Sequence, residues 1–112
     1  MKQRVVLVID TTSDTGLVMV RTGKGEFIKR WPSRGKVEKL VATIETALKS
    51  AGVPLRSVTE ITVNPGPGSF IGSRVGVTVA NTLGWVLELP VNGKRLPVAV
   101  QYQEHGSFRR AS

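Results

Sequence analysis

The chain has 112 residues, the size of one domain, and a fold of this length buries roughly two-thirds of its unfolded surface, enough for a core without staples. With 40% hydrophobic and 21% charged residues the composition is globular, which excludes wholesale disorder, and the lack of cysteine excludes disulfides, thiolate metal sites and cysteine nucleophiles. Sixteen Lys and Arg against eight Asp and Glu leave a net charge of +8, which suits an anionic partner such as RNA or a plain solvated basic surface; the charges are dispersed, and no nucleic-acid motif accompanies them.

The N-terminus, Met1-Lys2-Gln3-Arg4 and then five apolar residues, has too short an apolar core for a signal peptide, and no small-residue cleavage site follows. Residues 4–10 read as a first strand and 16–22 as a second, with the polar turn Thr11-Thr12-Ser13-Asp14-Thr15 marking a hairpin between them. Gly23-Lys24-Gly25 turns the chain into a third strand over 26–31, with Phe27 and Ile28 at its centre, and Pro32-Ser33-Arg34-Gly35 breaks the sheet. Over 36–51 the apolar residues Val37, Leu40, Val41, Ile44, Ala47, Leu48 and Ala51 recur with the period of an amphipathic helix, ended by Gly52 and Pro54. A fourth strand follows at 58–63. A stiff turn, Asn64-Pro65-Gly66-Pro67-Gly68, then launches a second helix from Ser69 or Ile71 to Leu89, where Pro90 stops it. This helix is nearly long enough to cross a membrane, yet Arg74, Asn81 and Glu88 interrupt it, so a soluble cytoplasmic protein is expected. After Asn92-Gly93, residues 96–102 can form a fifth strand beginning near Pro97, and 103–112 form a loose basic tail with Arg109 and Arg110. The order β-β-β-α-β-α-β predicts an α/β fold, a five-stranded mixed sheet with both helices packed on it.

The second helix carries small residues every fourth position: Gly72, Gly76, Ala80 and Gly84. Glycine weakens a helix by ~1 kcal/mol relative to alanine, so such a ridge predicts close approach of another helix. Beside it run Ile71, Val75, Val79, Leu83 and Val86, and Trp85 stands among the polar residues Arg74, Thr78, Asn81 and Glu88. The expected partner interface comprises Val41, Ile44 and Leu48 of the first helix with Gly72, Val75, Gly76, Val79, Ala80, Leu83 and Trp85 of the second. For Trp85 the competing reading is a cover over a neighbouring loop.

Four groups invite a chemical reading. Gly66, Pro67, Gly68, Ser69 and Phe70 lead into Gly72 like a phosphate loop, but no Gly-Lys-Ser/Thr ending follows and the third glycine comes one residue late for the dinucleotide fingerprint, so a structural corner is the stronger reading. Arg74, one turn into the helix, could assist an anion or pair with a carboxylate. Asp10, Thr11 and Thr12 follow the first strand, where actin-like and sugar-kinase-like ATPases place an acid and a phosphate-contacting hairpin; a hairpin cap is the plainer account. Asp14-Thr15-Gly16 has the letters of an aspartic-protease motif, but Thr12 and Ser13 stand where that motif carries apolar residues, and two long helices do not suit that all-β fold. His105 is the sole histidine, which argues against a transition-metal site and leaves no metal ligand set or cofactor to expect.

Residues 5–12, Val-Val-Leu-Val-Ile-Asp-Thr-Thr, and above all 66–77, where the string GPGSF-x-G-x-R-x-G stands, resemble the TsaB family, also called YeaZ. The resemblance extends in strand order over about 4–91. It implies the N-terminal lobe of the actin-like ATPase (RNase H-like) superfamily over 1–102, with 103–112 as a tail. It also implies a non-catalytic scaffold in the machinery that installs threonylcarbamoyladenosine on tRNA, with no catalytic residue of its own. The partners implied are TsaD, the catalytic relative, through a two-helix surface, and TsaE as a further contact. A homodimer is expected when the chain is alone, tRNA is met only indirectly or weakly, and no membrane is involved. In these terms Gly66, Pro67, Gly68, Ser69, Phe70 and Arg74 are the family-motif loop, and Asp10, Thr11 and Thr12 a phosphate-loop remnant. The sequence departs from the family at Ile71, where threonine is usual, at Asn81, where lysine is common, and in stopping after one lobe. The alternatives are an ATPase-like nucleotide-binding remnant and a basic tRNA-binding module.

Overall fold

The computed structural model describes residues 3–13, 15–31, 37–68, 70–95 and 97–101, apart from the side chains of Trp31 and Phe70. Asp14, the break at 32–35, Ser69, His105 and the tail expected over 103–112 lie outside the described residues. The elements are β1 (Val6–Asp10), β2 (Gly16–Thr22), β3 (Gly25–Trp31), α1 (Val37–Ala51), β4 (Glu60–Val63) and α2 (Phe70–Leu87), with one 3-10 turn at Leu55–Ser57.

The sheet runs β3-β2-β1-β4, antiparallel through the first three strands and parallel between β1 and β4. Because side chains alternate across a strand, register decides each face. Leu7 stands opposite Val20 and Ile61, and Ile9 opposite Val18 and Val63. All six are buried, and they share one core with Leu40, Ile44, Ala47 and Leu48 of α1 and with Val77, Val79 and Ala80 of α2. Both helices therefore lie on this face, α1 against β2 and β3, α2 against β1 and β4. The opposite face presents Val8, Leu17 and Met19 half-covered and Ile28 at 47% exposure, while Val6 is buried between the pairs Arg4–Glu60 (2.7 Å) and Arg21–Glu26 (3.1 Å).

The end of α1 follows from Gly52. At φ +73° it adopts a left-handed conformation that glycine tolerates, so its N–H reaches the Lys49 carbonyl (3.0 Å) and the Val53 N–H reaches that of Leu48 (3.1 Å). Glu38 in the first turn and Lys49 in the last suit the helix dipole. At the other helix, Glu88 takes φ +57° and stops α2 two residues before the expected Leu89.

Of the fifth strand expected over 96–102, the described residues 97–101 form none, and four strands are present among the described residues. The edge of β4 where it would pair is taken by Pro90, Val91 and Asn92. Ile61 donates its N–H to the Pro90 carbonyl (3.1 Å) and accepts from the Asn92 N–H (2.8 Å). The Asn92 side chain then does what a further strand residue would: Oδ1 accepts from the Val63 N–H (2.8 Å) and Nδ2 donates to its carbonyl (2.9 Å). With Asn92 and Gly93 both at positive φ, the chain turns back on itself. Residues 97–101 run instead beside α2, where the Asn81 side chain pairs with both the N–H and the carbonyl of Val98 (2.8 Å each). Among the described residues no helix is long and apolar enough to cross a membrane.

Candidate functional site

The ends of β1 and β4 and the start of α2 converge on one corner. Asp10 closes β1 and accepts the Thr12 N–H (3.0 Å) and the Thr12 hydroxyl (2.7 Å) on one oxygen, and the Asn64 amide (3.1 Å) on the other. Partial burial on its own would raise the Asp10 pKa, but these hydrogen bonds to the charged form outweigh it and hold the carboxyl below its ordinary value. Asn64 is fixed in turn, its N–H on the Ile9 carbonyl (3.0 Å) and its Oδ1 accepting from the Gly66 N–H (3.1 Å). Gly66, at φ +106° with a cis bond to Pro67, leaves no room for a side chain, since a Cβ there would meet the Gln101 carbonyl; Gly68 lies as close against Thr12. Thr11 is fully buried and donates its hydroxyl to the Gly72 carbonyl.

The 66–68 turn of the motif loop and Gly72 are thus brought against Asp10, Thr11 and Thr12, two groups the sequence reading took separately. The corner is a closed hydrogen-bonded joint around a negative charge, and an incoming anion would meet that charge first. Arg74 is exposed on the next turn, and the hydroxyl of Ser73 is buried with no hydrogen-bond partner among the described residues. No group of three or more His, Asp or Glu among those residues could hold a metal ion. Asn64, which orients Asp10, escaped the sequence reading; its signal was the Asn-Pro step directly after a strand.

The second candidate is the outer surface of the helices, and here the expected interface divides. Ile44, Leu48, Gly72, Gly76, Val79 and Ala80 are buried within the chain's own core. The small ridge faces the sheet and its flank, not a second helix: a Cβ on Gly76 would strike Thr11, and one on Gly84 would strike Val91. Val41 and Trp85 do reach solvent, and Val75 and Leu83 are half-covered. The exposed large apolar residues of α2 are Ile71 (58%), Trp85 (83%) and Val86 (61%), and those of α1 are Val37 (45%) and Val41 (41%). Between the helices lies a groove of about 390 Å³ lined by Val41, Ile44, Leu48, Val53, Leu55 and Leu83.

The family model described as TsaD, tRNA N6-adenosine threonylcarbamoyltransferase, matches residues 27–93. The tRNA threonylcarbamoyladenosine biosynthesis protein TsaB of Bacillus subtilis (strain 168) is 33% identical over 90 residues, which cover 78% of this chain and 39% of that protein. The TsaB of Haemophilus influenzae is 28% identical over 92 residues, covering 81% and 39%. A tRNA N6-adenosine threonylcarbamoyltransferase of Geotalea uraniireducens is 34% identical over 76 residues, covering 68% and 22%. Among solved structures, YeaZ from Pseudomonas aeruginosa superposes with a TM-score of 0.72 at 26% identity, over 79% of this chain and 41% of that one. The chain spans well under half the length of these relatives.

Proposed function

We propose a function from the premise that this chain belongs to the TsaD family of tRNA N6-adenosine threonylcarbamoyltransferases and their TsaB (YeaZ) homologues, and so to threonylcarbamoyladenosine biosynthesis. Within that machinery it acts as a non-catalytic scaffold that docks TsaD through the outer face of α1 and α2, in the cytoplasm, and pairs with itself when TsaD is absent. The observation that carries the reading is the bare apolar surface of Ile71, Trp85, Val86, Val37 and Val41, large side chains left in water on adjoining helices. A catalytic role draws little support from the loop corner, where Thr12 and Asn64 already occupy the Asp10 carboxylate.

The test is co-elution of the purified chain with TsaD from the same source, using Ile71→Arg and Val41→Arg as surface variants. The wild type should travel with TsaD and the doubly substituted chain should not. A wild type that ignores TsaD, or a double variant that binds it unchanged, overturns the reading. A second reading, a nucleotide-binding remnant, draws on the approach of the Gly66–Gly68 turn to Asp10 and Thr12; heat released with ATP and magnesium would favour it. Titration with tRNA at two salt concentrations tests the third, because phosphate-driven binding falls steeply with salt. TsaE enters as a further contact of the assembled complex.

A further inference from the structure

We infer that β3 of one copy pairs edge to edge with β3 of a second copy, antiparallel about a twofold axis at Ile28, so that two sheets become one. This goes beyond the helix-face reading, because the seam lies at the border of the sheet. β3 is the end strand of the order β3-β2-β1-β4, and all seven of its residues pair with β2 without a bulge. The two-residue turn between Thr22 and Gly25 makes these two a hydrogen-bonded pair, and such pairs alternate along an antiparallel ladder. Phe27 and Lys29 therefore spend their main-chain groups on β2, whereas Glu26, Ile28 and Arg30 aim theirs away from it. Among the described residues none of these three has a main-chain bond on that open side. Neither a proline nor a bulge guards the border.

Charge selects the register. Centred on Ile28, the twofold sets Glu26 opposite Arg30 of the second copy and Arg30 opposite its Glu26, and each facing pair exchanges both main-chain hydrogen bonds. The side chains of Glu26, Ile28 and Arg30 share the exposed face of the strand, where opposite charges across a seam stabilise it and like charges weaken it. A twofold centred on Glu26 or on Arg30 would set like charges against each other at the axis. Only the Ile28 centre faces opposite charges and uses all three open residues. Arg30 belongs to neither ion pair among the described residues, and Glu26, 3.1 Å from Arg21, comes to stand between two guanidinium groups. On the helix side half-covered Phe27 faces half-covered Lys29, whose apolar stem can lie along the ring. At the axis two Ile28 side chains, each 47% exposed, join the rows Ile28-Met19-Val8 of both copies into one apolar strip.

The experiment is amide hydrogen exchange on the full chain over a concentration series, beside sedimentation of Glu26→Arg, Arg30→Glu and their equimolar mixture. The sedimentation uses the Ile71→Arg, Val41→Arg background, so that the sheet contact alone is read. One strand pair is a small interface, and the series should reach millimolar protein. The amides of Glu26, Ile28 and Arg30 should gain protection as concentration rises, while those of Phe27 and Lys29 stay protected throughout. Each single reversal sets like charges at both ends of the seam and should weaken association about tenfold. The mixture should associate as the unreversed chain does, because each variant then meets its opposite, a rescue that misfolded chains cannot show. Ile28→Pro removes an outward N–H but keeps the ladder to β2, and it should abolish the protection of Glu26 and Arg30. Exchange at Glu26, Ile28 and Arg30 that ignores concentration, or a mixture no tighter than its components, overturns the inference. So does protection that arises only with TsaD added, which gives the border to that protein, and protection lost in the Ile71→Arg, Val41→Arg chain, which gives it to the helices. Failure to co-elute with TsaD sinks only the docking proposal.

Discussion

Thr11 and Gly76 share one small volume between β1 and α2. The threonine hydroxyl donates to the Gly72 carbonyl, and its side chain fills the space a Cβ at position 76 would need. In a solvent-facing helix Gly→Ala gains ~1 kcal/mol. Here the sign reverses: Gly76→Ala should destabilise by about 1–3 kcal/mol in chemical denaturation, because the helix must lift from the strand. Combining it with Thr11→Ala should cost less than the sum of the two single changes, the mark of a shared contact. Next door, Asp10 titrates below its ordinary range. A carboxyl whose folded pKa lies below its unfolded pKa adds stability that is complete above the unfolded value, near pH 4, and is lost as pH falls through the folded one. Midpoints measured from pH 7 downward should therefore converge for the wild type and Asp10→Asn only below about pH 4.

At the level of elements, two asparagines finish what backbone pairing leaves undone. Val63 is buried, and its N–H and carbonyl are satisfied by the Asn92 side chain, so Asn92→Ala strands two polar groups at a cost of about 1–3 kcal/mol each. Hydrogen exchange should show the Val63 amide losing protection, while Asn81→Ala should leave β4 protected and expose the Val98 amide. The three leading strands and α1 were legible because alternation and the 3.6-residue period each allow one answer. The fifth strand was not, since the apolar run after Pro97 carried the pattern of a strand while the edge it needed was already taken by the backbone of Pro90 and Asn92 at Ile61 and by the Asn92 side chain at Val63. The wheel of α2 misled for a related reason. A helix apolar over more than half its circumference does not say which side meets its own sheet, and a ridge of glycines suits a strand bearing Thr11 as well as it suits a partner helix. Asp10, Thr12 and the 66–68 turn were each visible as candidates in the sequence, but the residue that ties them, Asn64, was read only as part of the turn.

For the whole molecule, the helices occupy one side of a single sheet, and the net charge is +8. Apolar residues thus reach water on two opposed surfaces: Ile71, Trp85 and Val86 on the helices, Ile28 with Met19 and Leu17 on the sheet. At low ionic strength the excess of cationic side chains holds copies apart. At about 0.15 M the screening length shrinks to ~8 Å, and light scattering should show attraction growing with added sodium chloride, the reverse of a protein whose contacts are made by charge alone.

The lone asparagine clasp on Val63 has a consequence for evolution in the test tube. Because a side chain rather than a strand closes the border at Val63, a single replacement frees one N–H and one carbonyl there, beside the main-chain pairs that Ile61 keeps with Pro90 and Asn92, and an extended residue supplied from outside has that one pair to take. Position 92 is therefore a natural place to build a chemically gated docking rail into this scaffold.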